Sequence, residues 1–308
     1  MTGGAGFIGS HLVDRLLDEG AYVAALDNFD PFYDGKERNV QHDFGREGFQ
    51  LIRGDILDYD FISSIVKGVD IIFHEAAQPG VRYCNTDPLK ANLVNVTGTL
   101  NVLWAAKEAS VGKVVYASSS SVYGDPQYLP FDEGHPTDPL SPYGASKLAA
   151  ERYCHVFHRV YQLPVVCLRY FSVYGPRGRP DQVMYRFVDA IVHGRTPTIY
   201  GDGSQTRDFT YVSDVVDATI LASEVDGDEG MVLNIGAGSR ITVKGLALRI
   251  FDRIGMDVKL EVADSQGYDP SDTEADNTRA RRVLGWKPTV NLDEGLSLFL
   301  DWFGKFRS

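Results

Sequence analysis

Residues 1–10 read MTGGAGFIGS. Gly3, Gly6 and Gly9 fall three residues apart, and Gly4, Gly6 and Gly9 read as G-x-G-x-x-G, a turn in which the backbone folds tightly enough to admit an anion. The next stretch, SHLVDRLLDEG, has apolar residues at helical spacing and stops at Gly20. A glycine-rich turn that opens a helix offers free amides and the positive end of the helix dipole to a phosphate. It also needs a buried strand before it, and here only Met1 and Thr2 stand in that place. That strand is central in sheets of this kind, and its loss would expose two strand edges. The expectation is therefore a truncated first strand, with a few apolar residues preceding Met1 in the native chain.

Outward from the turn, apolar runs alternate with helical patterns. AYVAALDN, FQLIRGDILD, VDIIFHEAA, GKVVYASSSSVYG and LPVVCLRYFSVYG read as buried strands. NLVNVTGTLNVLWAAKEA and SPYGASKLAAERYCHVFHRVY read as helices, the second with Ser141 as N-cap and Pro142 at its first position. Continuous apolar strands alternating with helices give a parallel sheet covered on both faces. The fold class is α/β: a Rossmann-type doubly wound parallel sheet with a smaller, interleaved C-terminal lobe. Residues 1–172, with a returning part near 205–235, are expected to bind a dinucleotide, and 173–308 to form most of the substrate lobe.

Asp27 ends the second strand, eighteen residues past Gly9. A carboxylate there accepts hydrogen bonds from ribose hydroxyls and repels a 2′-phosphate, and no Arg follows it, so NAD is favoured over NADP. Asp55 and Ile56 end the third strand, where an adenine would lie.

Net charge is −12 and pI about 5.0, which argues against non-specific nucleic-acid binding. Cys84, Cys154 and Cys167 are too sparse for a disulfide framework or zinc site. With no apolar run near 18 residues, a membrane span is not expected, and the reading is cytoplasmic. No metal site is expected; Asp214 and Asp217 read as caps or solvated residues, and His74 and His155 as core histidines.

Tyr143 and Lys147 form Y-x-x-x-K on one helix face. An ammonium beside a phenol favours the phenolate, and a tyrosine so tuned can take a proton from a sugar hydroxyl while hydride leaves the same carbon. Ser118 to Ser121 end the preceding strand, where a hydroxyl can reach the same oxygen.

TGGAGFIGSHL, EAAQPGVR, YASSSSVYG, SPYGASK, LRYFSVYGPRGRPD and GDGSQTRDFTYVSDV together resemble the extended short-chain dehydrogenase/reductase family, and within it the nucleotide-sugar 4-epimerases. The resemblance runs in order through RARRVLGWKP, essentially the whole chain. It implies Ser119 as the catalytic hydroxyl, Tyr143 as base and Lys147 as its partner. It implies cofactor contacts from Gly3, Gly6, Phe7, Ile8, Gly9, Asp27, Asn28, Asp55, Ile56, Ala76, Ala77, Tyr143, Lys147 and Tyr170. Phe171 should pack near the nicotinamide, Arg207 should pair with a UDP-sugar's diphosphate, and Tyr200 should lie along the base. The implied reaction is transient oxidation at C4, rotation of the 4-keto sugar, and return of hydride to the other face. The long helices at about 88–109 and 143–162 imply a homodimer through a four-helix bundle.

Ser120 and Ser121 stand where dehydratases of the family carry Asp-Glu, and Ser172 where glucose-type epimerases usually carry Asn. Those residues, with AAQPGVR and YGPRGRPD, resemble the UDP-glucuronate 4-epimerases more. Hydroxyls of Ser120, Ser121 and Ser172, with Arg179 and Arg82, suit a uronate carboxylate; the alternative is that the serines merely fit tight turns. Gln266 stands where other members carry an Arg, which leaves more of the diphosphate to Arg207. Two other functions stay open: a net dehydrogenase on another small alcohol, and a non-catalytic NAD-dependent sensor.

Overall fold

The computed structural model describes residues 1–225, 230–256, 259–265 and 267–307. In chain order the strands are β1 (Val23–Asp27), β2 (Phe49–Arg53), β3 (Ile71–His74), β4 (Lys113–Ser119), β5 (Val165–Tyr170), β6 (Ser172–Tyr174), β7 (Thr198–Tyr200), β8 (Thr206–Arg207), β9 (Phe209–Tyr211), β10 (Val232–Ile235), β11 (Ile241–Thr242) and β12 (Glu261–Ala263). The helices are α1 (Phe7–Asp18), α2 (Lys36–Val40), α3 (Tyr59–Ile65), α4 (Val81–Thr86), α5 (Pro88–Asn92), α6 (Thr99–Glu108), α7 (Pro142–Tyr161), α8 (Val183–Val192), α9 (Val212–Glu224), α10 (Val243–Ile254), α11 (Thr278–Leu284) and α12 (Leu292–Arg307).

The main sheet is parallel, with β10–β5–β4–β3 on one side and β1–β2 on the other. Met1 and Thr2 join the two halves. Thr2 bridges both Leu26 and His74. Its N–H donates to Phe73 O at 3.0 Å, its carbonyl accepts from Glu75 at 3.2 Å, and Leu26 N–H donates to Met1 O at 2.7 Å. The expected central position is thus filled by a two-residue segment. The terminal ammonium of Met1 donates to Ala24 O at 2.7 Å, and burial pulls its pKa down to about 6.

Alternate residues of β4 and β5 feed two cores. Val115, Ala117, Val166 and Leu168 pack toward Phe7 and Leu12 of α1 and Val215 of α9. Val114, Tyr116, Val165 and Cys167 pack toward Val102 and Leu103 of α6 and Ala150 and Phe157 of α7. That division follows from the period-2 alternation of a strand buried on both faces. All three cysteines are free and buried.

Two expected elements are interrupted. The single strand expected over LPVVCLRYFSVYG splits at Phe171, whose N–H donates to Ile235 O, while Ser172 N–H turns to Asp208 O. β6 then pairs with β9 and leaves the main sheet, which re-aims Ser172 toward the C-terminal lobe. The long helix expected near 88–109 carries a π-helical turn at Leu93–Gly98 between α5 and α6. The wider turn turns Asn95 inward; its amide donates to Ser146 Oγ at 2.9 Å and to Gln78 O at 3.2 Å. Such bulges are common beside functional sites.

Candidate active site

The glycine turn packs against the strand ends with no room for side chains. A Cβ on Gly9 would lie 2.1 Å from Gly3 O, and one on Gly3 would lie 2.7 Å from Ala76 N. Gly3 also holds φ +69°, which disfavours any side chain. Gly6 caps α1 without a side chain, so the first amides of the helix are left for an outside acceptor. Asp27 ends β1, buried, with its carboxylate accepting from Ala5 N–H at 3.1 Å and Phe29 N–H at 2.8 Å. Burial pushes this carboxyl upward against the pull of Lys36. Asn28 donates to Asp55 Oδ2 at 2.9 Å, which joins the ends of β1 and β2. Gly3, Gly6, Phe7, Ile8, Gly9, Asp27, Asn28, Asp55, Ile56, Ala76, Ala77, Tyr143, Lys147 and Tyr170 all line one cleft. A turn that a Cβ would fill, a helix N-terminus and an acid at the next strand end together fit a dinucleotide.

At the inner end of the cleft stand Tyr143 and Lys147. Ser141 caps α7, accepting from Gly144 N–H at 3.1 Å, with Pro142 at the first turn as expected. Lys147 is buried and donates to Ala117 O at 2.7 Å. Burial pulls its ammonium down to about 8, with Glu75 the main opposing charge. Burial pushes the Tyr143 phenol up to about 12, with Arg179 and a hydrogen bond from Ser119 opposing. Lys147 Nζ lies 6.0 Å from the Tyr143 ring centre and 5.0 Å from that of Tyr116. Of the two candidate hydroxyls, Ser118 donates to buried Glu151, and Ser119 is the one that reaches Tyr143.

Beyond Tyr143 the cleft opens into a cavity of 750 Å³. Its walls carry Ser119, Ser120, Ser121, Ser172, Arg82, Arg179 and Arg207. Arg179 is not a free cation: its Nε and Nη2 contact Asp181 at 2.9 and 3.1 Å. Arg207 donates to Thr206 O at 2.7 Å, and burial pulls its pKa down. Two guanidiniums lie near the Tyr200 ring centre, Arg82 at 3.8 Å and Arg186 at 5.2 Å, and Arg186 Nη2 also donates to Tyr200 Oη at 3.5 Å. Arg186, on the inward face of α8, was not singled out from the sequence; a lone Arg within an apolar helix stripe was the only signal.

Sequence reading also passed over a buried ion pair beside Ser118. Arg169 of β5 contacts both oxygens of Glu151 on α7, at 2.9 and 2.8 Å. Glu75, next to the cleft, contacts Tyr170. His74 is buried as expected, between Thr2 Oγ1 at 2.6 Å and Thr99 Oγ1 at 2.9 Å, and burial pulls its pKa down to about 3. His155 is exposed, contrary to expectation: Glu151, Cys154 and Phe157 form the inward stripe of α7, and 155 falls outside it. Asp217 is a surface partner of Arg15 at 2.7 Å. Asp214 is buried and accepts from Thr289 and Val290, which ties the C-terminal segment to α9. Gln266 lies outside the described residues. Among them, Asp14, His42 and Asp43 cluster near α1, each carboxylate already paired with an arginine, Arg177 or Arg46. Among the described residues no helix is long and apolar enough to cross a membrane.

The cleft is that of an NAD-binding enzyme, and Tyr143 stands where it opens into the cavity. The sequence profile of the NAD dependent epimerase/dehydratase family matches residues 1–236, and the chain belongs to that family. It is 39% identical over 308 residues to a UDP-glucose 4-epimerase of Mycolicibacterium smegmatis, covering 98% of this chain and 97% of the relative. It is 36% identical to a UDP-glucuronate 4-epimerase of Thermodesulfobacterium geofontis, covering 98% and 94%. The fold matches the crystal structure of UDP-glucuronic acid 4-epimerase from Bacillus cereus, in complex with UDP-glucuronic acid and NAD, at TM-score 0.93 and 36% identity, covering 99% and 98%. The cofactor is NAD and the enzyme is an isomerase.

Proposed function

We propose that the protein interconverts C4 epimers of a UDP-sugar, and that its pair is UDP-glucuronate and UDP-galacturonate. The observation that carries this reading is the lining of one cavity, which brings Ser119, Tyr143, Ser120, Ser121, Ser172 and Arg179 together with further arginines. The hydroxyls and Arg179 suit a sugar carboxylate, and Arg82, Arg186 and Arg207 suit a diphosphate. Bound NAD supplies the hydride acceptor and donor at C4. Tyr143 takes the proton from the C4 hydroxyl and returns it, Ser119 holds the same oxygen, and Lys147 holds the nicotinamide ribose. For a uronate, Arg179 exchanges part of its contact with Asp181 for the substrate. Tyr200, with Arg82 and Arg186 near its ring, lies along the nucleoside end.

The proposed assembly is a homodimer through α6 and α7. Trp104, Tyr153, Val156, Val160 and Tyr161 stand exposed there, an unusual run of apolar side chains for a solvated face. Val160→Asp should give a monomer by light scattering; an unchanged mass would refute this face.

The deciding experiment is incubation with UDP-glucuronate, and separately UDP-glucose, without added reductant, followed by NMR of the product. Interconversion of the uronates faster than of the hexoses supports the reading. Stoichiometric NADH formation without epimer would replace it with a net dehydrogenase.

A further inference from the structure

Under the seam between the cofactor cleft and the substrate cavity runs a chain of oxygens. Thr219 Oγ1 lies 2.7 Å from the Val215 carbonyl, Tyr170 Oη lies 2.7 Å from Thr219 Oγ1, and Glu75 Oε1 lies 3.0 Å from Tyr170 Oη. Each of these three contacts needs one proton between its oxygens. The carbonyl has none to give, so the Thr219 proton goes to Val215. The Tyr170 proton then goes to Thr219. Two hydroxyls cannot fill three contacts, and the remaining proton has to sit on Glu75. With Glu75 ionised, Tyr170 would turn its proton to the carboxylate and leave lone pairs facing each other at 2.7 Å.

We propose that Glu75 is a neutral carboxylic acid in the cofactor-free protein, donating its proton to Tyr170 as a positioning residue, and that it gives up this proton to solvent when oxidised NAD binds. The second half rests on the NAD site described above. Glu75 and Tyr170 line the same cleft as Tyr143 and Lys147, and Tyr170 lines the substrate cavity as well. The oxidised nicotinamide is cationic and favours a carboxylate nearby; the reduced ring is neutral and does not. The ionisable groups facing Glu75 are Lys147 from α7, whose ammonium favours ionisation, and Tyr170 from β5, while α9 presents the uncharged Thr219. Burial outweighs them and pushes the carboxyl up to about 7. The acid form is therefore the one present below that pH and lost above it.

The test begins with infrared spectroscopy of the cofactor-free protein labelled with ¹³C-carboxyl glutamate, which separates Glu75 from the buried Asp208. A protonated-carboxyl band that shifts with the label, titrates near pH 7 and vanishes in Glu75→Gln is expected. Tyr170→Phe should move that band by removing its acceptor, which keeps the assignment testable should the Gln variant fold poorly. Affinity for oxidised NAD should fall as pH drops below 7, by up to about tenfold per unit, and affinity for NADH should stay flat. Glu75→Gln, whose amide can still donate to Tyr170, should flatten the NAD slope. A band absent above pH 5, a band that survives Glu75→Gln, or an unchanged NAD slope in that variant would overturn the proposal. None of these readouts uses a sugar nucleotide, so they stand apart from the choice of substrate.

Discussion

Glu151→Gln removes one charge from a pair that has no access to water. Glu151 and Arg169 are each 3% exposed, and two hydrogen bonds of 2.9 and 2.8 Å join them. Ser118 donates to the same carboxylate. Arg169 Nη1 already lacks a partner, so nothing nearby can take over the lost charge. Breaking one side of a buried pair leaves an uncompensated ion and costs about 3–5 kcal/mol. The unfolding constant then rises by roughly two to three and a half powers of ten, and the melting temperature falls by roughly 5–8 °C for a chain of this size. Chemical and thermal denaturation of the NAD-free protein measure both. The double variant Glu151→Leu with Arg169→Met removes both ions and should recover most of the loss, because the desolvation penalty disappears with the charges. Turnover of Glu151→Gln should also fall, since Lys147 lies one helical turn away and Ser118 precedes Ser119. A loss below about 1 kcal/mol in the single variant, or a double variant less stable than either single change, would refute this account.

Gly9→Ala should abolish NAD binding and lower stability, because its Cβ would meet Gly3 O at 2.1 Å; fluorescence titration with NAD reads it, and normal binding would show that the turn can relax. Tyr143→Phe should cost about 10²–10⁴ in kcat with NAD binding retained; loss of cofactor binding would make the residue structural. Asp181→Asn should free Arg179 and lower KM for UDP-glucuronate more than for UDP-glucose; equal effects on both would remove Arg179 as a carboxylate reader. His74 is held neutral well below its unfolded pKa, so the unfolded chain binds its proton first. Its contribution is present above about pH 6.5 and is lost as pH falls toward about 3. Denaturation midpoints should drop across that window, and His74→Asn should show a shallower drop.

Much of the site was readable because its signals are local. The glycine turn, the acid at the end of β1, the Ser141 cap and Y-x-x-x-K each depend on spacings of a few residues, and backbone geometry turns those spacings directly into shape. How strongly burial opposes ionisation of the Tyr143 phenol was not readable, because burial is a property of everything packed around it. The strand over LPVVCLRYFSVYG was expected as one element because its apolar character is continuous; the break at Phe171 is imposed by Ile235 and Asp208, which arrive from elsewhere in the chain.

The sequence by itself determined the alternation that makes a doubly covered parallel sheet, the cofactor turn, the preference for NAD, and the hydroxyl–tyrosine–lysine series. Tertiary structure alone decided which partners the remaining charges take. Arg179 is held by Asp181, two arginines lie near the Tyr200 ring, Arg169 is neutralised by Glu151, and Glu75 contacts Tyr170, which contacts Thr219 in turn. The reason is physical. Periodicity reports which way a side chain points along its own element, whereas the energy of a charge or a shared proton depends on distance and desolvation, and those are set only when distant segments close around it.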